Sequence, residues 1–258
     1  ITGSHNPSTD NGIKLWTPSG RAFDGGQRRE ITRRISNEAF ALGGWDDHGT
    51  EHRWRGATGH HRERLVAAHD DLSLSVVVDV GNGTGRVTAD ALDDLGCTVR
   101  TLNAQPDGSF PGRPSEPTAE HCDALARAVE ATDADLGVAH DGDADRMMAV
   151  TEAGEFLDGD ALLALFGRAA ASTGDRVAAP LNTSLAVDDA LDEVGATVTR
   201  TRVGDAFVAE RATEPDVAFG GEPSGAWIWP DETPCPDGPL AACRLAELVA
   251  REGALSAL

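Results

Sequence analysis

Three carboxylates alternate in the string HDGDADRM (residues 140–147): Asp141, Asp143 and Asp145. In a tight loop that spacing lets three oxygens converge on one divalent cation. Hard oxygen donors with an open remainder of the coordination sphere suit Mg²⁺. Carboxylates this close cost on the order of several kcal/mol unless something neutralises them, which argues against a merely solvated acidic turn. A calcium EF-hand would place Glu152 at its twelfth position, but its sixth is Arg146, where that loop needs glycine. A second string, GGEPSG (220–225), presents Glu222 and Ser224 between glycines, a pair able to hydrogen-bond vicinal sugar hydroxyls. Taken alone it is equally an ordinary glycine turn.

The first residues, ITGSHNPSTDNGIK, put Ser4 and His5 in a turn rich in glycine and asparagine. Such a start reads as a chain cut in mid-fold, with Ile1 ending a strand that delivers Ser4 to a loop, a common seat for reactive groups. No G-x-S-x-G elbow surrounds Ser4, so a hydrolase triad is not supported. Lys14 is the only lysine in the chain; every other basic position is arginine. A site that needs a compact ammonium, to sit on a phosphate or to move a proton, would keep a lysine there.

These residues need a scaffold to position them, and the hydrophobic pattern predicts one. A helix near 27–40, with Ile31 and Ile35 at helical spacing, precedes an aperiodic connection at 43–60 and a short helix, HRERLVAAH. From 74 the chain alternates: strand LSVVVDV, turn GNGTG and a helix stopping at Gly96, then strand CTVRTLN. A proline-rich loop (106–117), a helix from 118, strand DLGVAH, the acidic loop, MMAV and a helix at 159–171 follow. The pattern restarts near 174 with DRVAAPLN, helix SLAVDDALDEVG, strand TVTRTRVG, a helix near 205–213, strand DVAFGGE and a last helix at 238–251. Strand and helix in alternation predict an α/β fold. The pair LDDLGCTV and LDEVGATV is consistent with a repeated unit. GNGTG lacks both the Walker lysine and the dinucleotide glycine spacing, so it reads as a packing turn that starts a helix.

Composition excludes several classes. Asp plus Glu number 43 against 22 Lys plus Arg, a net charge of −21. That field repels nucleic acid and anionic membranes, so neither is expected as a partner. No apolar run approaches the roughly 20 residues of a membrane span, and a cytoplasmic location is expected. An acid-rich, nearly lysine-free surface suits a cytosol of very high salt, so a halophilic source is expected. Cys97, Cys122, Cys235 and Cys243 form no CxxC pair and read as free thiols. His48, His52, His60 and His61 cluster with Glu51 in a polar stretch; the His48/His52 spacing could hold a metal, but with no fourth ligand at a fixed offset a solvated loop is the favoured reading.

Together and in this order, TGSHNP, NGIK, DGDADR, TRVGD and GGEPSG resemble the α-D-phosphohexomutase family, the phosphoglucomutase/phosphomannomutase/phosphoglucosamine mutase group. The resemblance implies consecutive three-layer α/β/α domains with mixed sheets: the end of domain I at 1–70, domain II at 71–172 and domain III at 173–258. It implies a Mg²⁺-dependent enzyme that interconverts hexose 1-phosphate and hexose 6-phosphate through phospho-Ser4, with a hexose 1,6-bisphosphate as intermediate and activator. By the same resemblance Ser4, His5, Lys14 and Arg146 are catalytic, and Asp141, Asp143, Asp145 and a phospho-Ser4 oxygen hold the metal. Glu222, Ser224, Gly204 and Asp205 bind the sugar phosphate. The chain departs from the family's pattern in having Ala226 where histidine often follows SG, and in lacking an R-x-S-G-T-E-P phosphate loop, HGTEH (48–52) being the nearest string. A non-enzymatic cation-binding module and a catalytically incomplete mutase are the competing expectations.

Overall fold

The computed structural model describes residues 1–258. Eight strands form two four-stranded mixed sheets of the same connectivity, ordered β2-β1-β3-β4 and β6-β5-β7-β8. In the first, β1 (Ser75–Asp79) lies parallel to β2 (Thr98–Leu102) and β3 (Leu136–His140), while β4 (Met147–Thr151) returns antiparallel to β3. In the second, β5 (Arg176–Pro180) lies parallel to β6 (Thr197–Thr201) and β7 (Val217–Glu222), and β8 (Ala226–Ile228) returns antiparallel to β7. The central strands are unbroken apolar runs because helices cover both faces. Val76, Val77 and Val78 of β1 are all buried.

The repeat extends to the turns. Helix α3 (Arg86–Asp94) ends on Gly96 at φ +85°, and the Cys97 amide donates to Leu92 O. Helix α6 (Ala186–Asp192) ends in the same way on Gly195 at φ +76°, with the Ala196 amide donating to Leu191 O. Glycine is needed at both places because the left-handed backbone there would strain a side chain.

Helix α1 (Gly25–Ser36) starts at a reciprocal cap: Asp24 accepts from the Gln27 amide, and the Gln27 side chain accepts from the Asp24 amide. It closes before the expected residue 40, because the chain turns left-handed at Glu38. Helix α2 (Ala57–Ala67) follows an exposed connection that carries His48 and His52, as their pattern suggested; His60 and His61 instead lie within α2, and His61 is half-buried with its ring 3.4 Å from Asp237. Ile1–Gly3 form no strand, contrary to expectation; the Thr2 amide donates to Gly12 O within its own loop, and no strand of the chain lies beside it.

One core of 36 buried residues runs through both sheets, so the two units are not separately packed. Helix α5 (Gly159–Ala170), expected with the first unit when that unit closes at 172, packs on the second. Its Phe166 ring lies 6.0 Å from Phe219, 5.4 Å from Trp227 and 5.1 Å from Trp229. Helix α4 (Asp123–Thr132) covers β1 and β3, and α7 (Asp205–Ala212) covers β5 and β7. The last helix, α8 (Gly238–Glu252), packs against both α3 and β8. Strand β8 escaped the sequence reading because three residues show no period; it forms because Gly225 at φ +97° turns the chain back along β7.

Candidate active site

Parallel strands place ligand groups at their carboxyl ends, and the acidic loop leaves β3 there. Asp141 is fully buried, and oxygens of Asp141, Asp143 and Asp145 lie within 4.8 Å of one another. The loop is shaped by close backbone approach. Ala144 sits at φ +60°, and the Arg146 amide donates to Asp141 Oδ1 at 3.1 Å. The GNGTG turn serves as its floor: the Thr84 amide donates to Gly142 O, and a Cβ on Gly85 would lie 2.8 Å from the His140 ring. The packing role read for that turn is therefore what the structure shows.

Burial, then the charges of Asp145 and Asp143, push the Asp141 carboxyl up to about 7. Burial and Asp143 likewise raise Asp145. At Asp143 burial is outweighed by Lys14, and its pKa is lowered. Asp143 Oδ1 is buried without a hydrogen-bond partner. Three converging hard donors, one of them an orphaned buried oxygen, fit a small divalent cation.

The N-terminal loop docks onto this cluster. Ser4 Oγ donates to Asp141 Oδ2 at 3.1 Å across 137 residues of sequence, and His5 Nδ1 lies 3.4 Å from the same hydroxyl. Ser4 adopts φ +52°, a left-handed turn conformation that points its side chain toward the acidic loop. Lys14 Nζ donates to Asp143 Oδ2 at 2.8 Å and to Asp145 Oδ2. Burial would weaken the ammonium, but the charge of Asp145 and the bonds to both carboxylates hold its pKa above the ordinary lysine value. Lys14 is therefore a fixed cation here. Burial, then the nearby Arg146 charge, lowers the His5 pKa.

The other group of expected residues sits on the second sheet. Glu222 ends β7, is 6% exposed, and accepts from the Gly204 amide at 2.7 Å; Ser224 Oγ lies 3.5 Å from its other oxygen. Burial, partly offset by the Gly204 bond, raises its pKa. Asp205 is exposed and accepts from the adjacent Ala206 amide at 2.7 Å. The two groups meet through backbone: Arg146 and Ala226 form an antiparallel bridge, and the Met147 amide donates to Gly225 O at 2.9 Å. Arg146 thus stands between the acidic loop and the Glu222 loop, its guanidinium 3.4 Å from Glu116.

Several contributors were not visible in the sequence. Arg113 is 4% exposed and donates to Asp79 Oδ2 at 2.6 Å and to His140 O at 2.6 Å, tying β1 and β3 to the proline-rich loop. Beside it, Ser115 Oγ donates to Ser4 O at 2.9 Å and accepts from the Gly142 amide at 3.1 Å. The string PGRPSEP held a weak signal, a basic residue and a hydroxyl stiffened by prolines, but nothing in its spacing pointed to Ser4.

Three profiles of the phosphoglucomutase/phosphomannomutase family match the chain in order: alpha/beta/alpha domain I at residues 1–42, domain II at 60–154 and domain III at 158–258. The chain belongs to the α-D-phosphohexomutase family. It is 48% identical over 262 residues to a "Probable phosphoglucosamine mutase" of Methanosarcina acetivorans, aligning with 100% of this chain and 59% of that protein. The Methanosarcina barkeri protein of the same name is 47% identical, with 100% of this chain and 59% of the relative aligned. The chain therefore spans 59% of the length of these curated relatives. Among solved structures, a phosphoglucomutase/phosphomannomutase family protein of Burkholderia thailandensis superimposes with a TM-score of 0.85 at 30% identity, covering 97% of this chain and 55% of that one. The chain carries no helix long and apolar enough to cross a membrane.

Proposed function

We propose that this chain carries the phosphoryl-transfer centre of a phosphohexomutase acting on a hexosamine phosphate, with Ser4 as the phosphoryl carrier. The observation that bears most weight is the Ser4 hydroxyl, 3.1 Å from Asp141 of an acidic loop that lies 137 residues further along the chain. The name shared by the archaeal relatives favours glucosamine phosphate as the first substrate to test.

In the transfer from enzyme to sugar, the phosphorus–oxygen bond at Ser4 breaks as a bond to the sugar hydroxyl oxygen forms, and the proton that this hydroxyl loses ends on the departing Ser4 Oγ. In the return, Ser4 Oγ attacks the other phosphate of the bisphosphate, the bond from that phosphorus to the sugar oxygen breaks, and the Ser4 proton leaves to a base that then protonates the departing sugar oxygen. His5 is placed to relay it, its ring 3.4 Å from Ser4 Oγ. Lys14 and Arg146 place fixed positive charge beside the moving group, where it counters the charge spread over the phosphoryl oxygens. Mg²⁺, held by Asp141, Asp143, Asp145 and an oxygen of phospho-Ser4, would supply further neutralisation of that charge when bound. Glu222 and Ser224 would grip hydroxyls near the middle of the sugar, the part least changed when the ligand reverses. Glu222 is pre-set for this by the Gly204 amide.

The test is intact-mass spectrometry of the purified chain after incubation with glucose 1,6-bisphosphate and Mg²⁺. A gain of one phosphoryl group that maps to Ser4 and disappears in Ser4→Ala is expected. No gain would leave a cation-binding module or an incomplete mutase as the reading. Turnover of glucosamine, glucose and mannose phosphates by the full gene product then orders the substrates.

A further inference from the structure

Resting on that reading, we infer that Ser115 is a positioning residue that holds the Ser4 loop against the acidic loop in both the phosphorylated and the free state. The bond Ser4 Oγ–H to Asp141 exists only while Ser4 carries its proton; esterification removes the donor. A main-chain contact at Ser4 itself does not depend on that proton. The Ser115 hydroxyl donates to the Ser4 main-chain carbonyl at 2.9 Å, a group that phosphorylation leaves unchanged. The same oxygen accepts from the Gly142 amide at 3.1 Å, between two of the acidic-loop carboxylates. One buried hydroxyl, 3% exposed, therefore spans the two loops whose separation sets the reaction distance.

The pin is itself anchored. Arg113 Nη1 donates to the Pro114 and Ser115 carbonyls at 3.0 and 3.2 Å, while its other nitrogens are bound to Asp79 and His140 O. Glycine at 142 permits the close approach, since a Cβ there would sit 2.7 Å from Ser4 O and 2.9 Å from Ser115 Oγ. A side chain fixed on a rigid loop transmits that rigidity to whatever it bonds, and positioning errors near 1 Å cost up to about 100-fold in rate.

Ser115→Ala removes the hydroxyl without adding volume. In the full gene product it should lower kcat by about 10- to 100-fold with KM for the sugar phosphate within about threefold, because the Glu222 loop is untouched. Single-turnover transfer from glucose 1,6-bisphosphate to Ser4 should slow by the same factor, and Ser115→Thr, which keeps the hydroxyl, should recover most of it. Ser115→Cys, a weak donor of similar shape, gives the same reading if the alanine variant does not fold. Transfer within twofold of wild type in Ser115→Ala or Ser115→Cys, or a threonine variant as slow as alanine, would overturn the inference. Wild-type protein that takes no phosphoryl group would instead count against the phosphohexomutase reading itself.

Discussion

Gly238 and Gly59 both lie in helices, and replacing each by alanine should move stability in opposite directions. By helix propensity alone, glycine to alanine stabilises by up to about 1 kcal/mol. Gly59, in α2, has open space where a Cβ would go, so Gly59→Ala should raise stability by about 0.5–1 kcal/mol. Gly238 is the first residue of α8 and lies on the acidic loop. A Cβ there would sit 2.6 Å from Ala144 O, 2.7 Å from Arg146 O and 2.9 Å from His140 Nδ1. The first two are backbone, and neither is free to move. Ala144 O accepts from the Gly238 amide at 3.2 Å, and Arg146 O accepts from His140 Nδ1 at 2.9 Å. Relief requires α8 to lift, with overpacking strain of about 1–3 kcal/mol. Lifting α8 also costs the Gly238–Ala144 hydrogen bond, about 1 kcal/mol. Against a propensity gain below about 1 kcal/mol, Gly238→Ala should destabilise by about 1–4 kcal/mol. Urea unfolding followed by circular dichroism, with both variants beside wild type, reads the two signs directly. A Gly238→Ala midpoint at or above wild type would refute the docking argument.

Lys14→Arg should lower kcat of the full gene product by roughly 10- to 1000-fold, about 1.4 to 4 kcal/mol, because a planar guanidinium cannot take the ammonium's place between Asp143 and Asp145; equal kcat would make Lys14 a bystander. His61 has its pKa raised by its hydrogen bond to Asp237, partly offset by burial, so the ion pair contributes stability that is fully present below about pH 6.5 and is lost as pH rises through the raised value. Wild type should exceed His61→Gln in stability at pH 6 by less than about 1 kcal/mol and match it at pH 9, and an unchanged gap would exclude the pair as its source. The melting temperature should rise with KCl up to about 1 M, where the Debye length falls to roughly 3 Å, because salt screens the self-repulsion of a net charge of −21, all of whose excess acid lies after residue 70. A curve already at its maximum in dilute buffer would remove the halophilic reading and leave the family assignment intact.

Much of this chain was legible in the sequence because its signals are local. A run such as VVV can only be a buried strand between helices, Gly96 and Gly195 stop helices by their own conformational freedom, and three alternating aspartates crowd one another whatever surrounds them. Those features fix the α/β repeat and mark the acidic loop and the Ser4 turn. The tertiary structure alone decided which groups meet. Nothing near Lys14 in the chain says that its partners are Asp143 and Asp145, or that Ser115 spans Ser4 and Gly142, since those contacts join segments more than a hundred residues apart or lie in a loop without a period. Helix α5 shows the same limit: its apolar face fits either sheet by pattern, and only the volume offered by Phe219, Trp227 and Trp229 placed Phe166 on the second. Periodicity specifies that a face is buried; which surface buries it depends on shape complementarity, a property that exists only once the chain has packed.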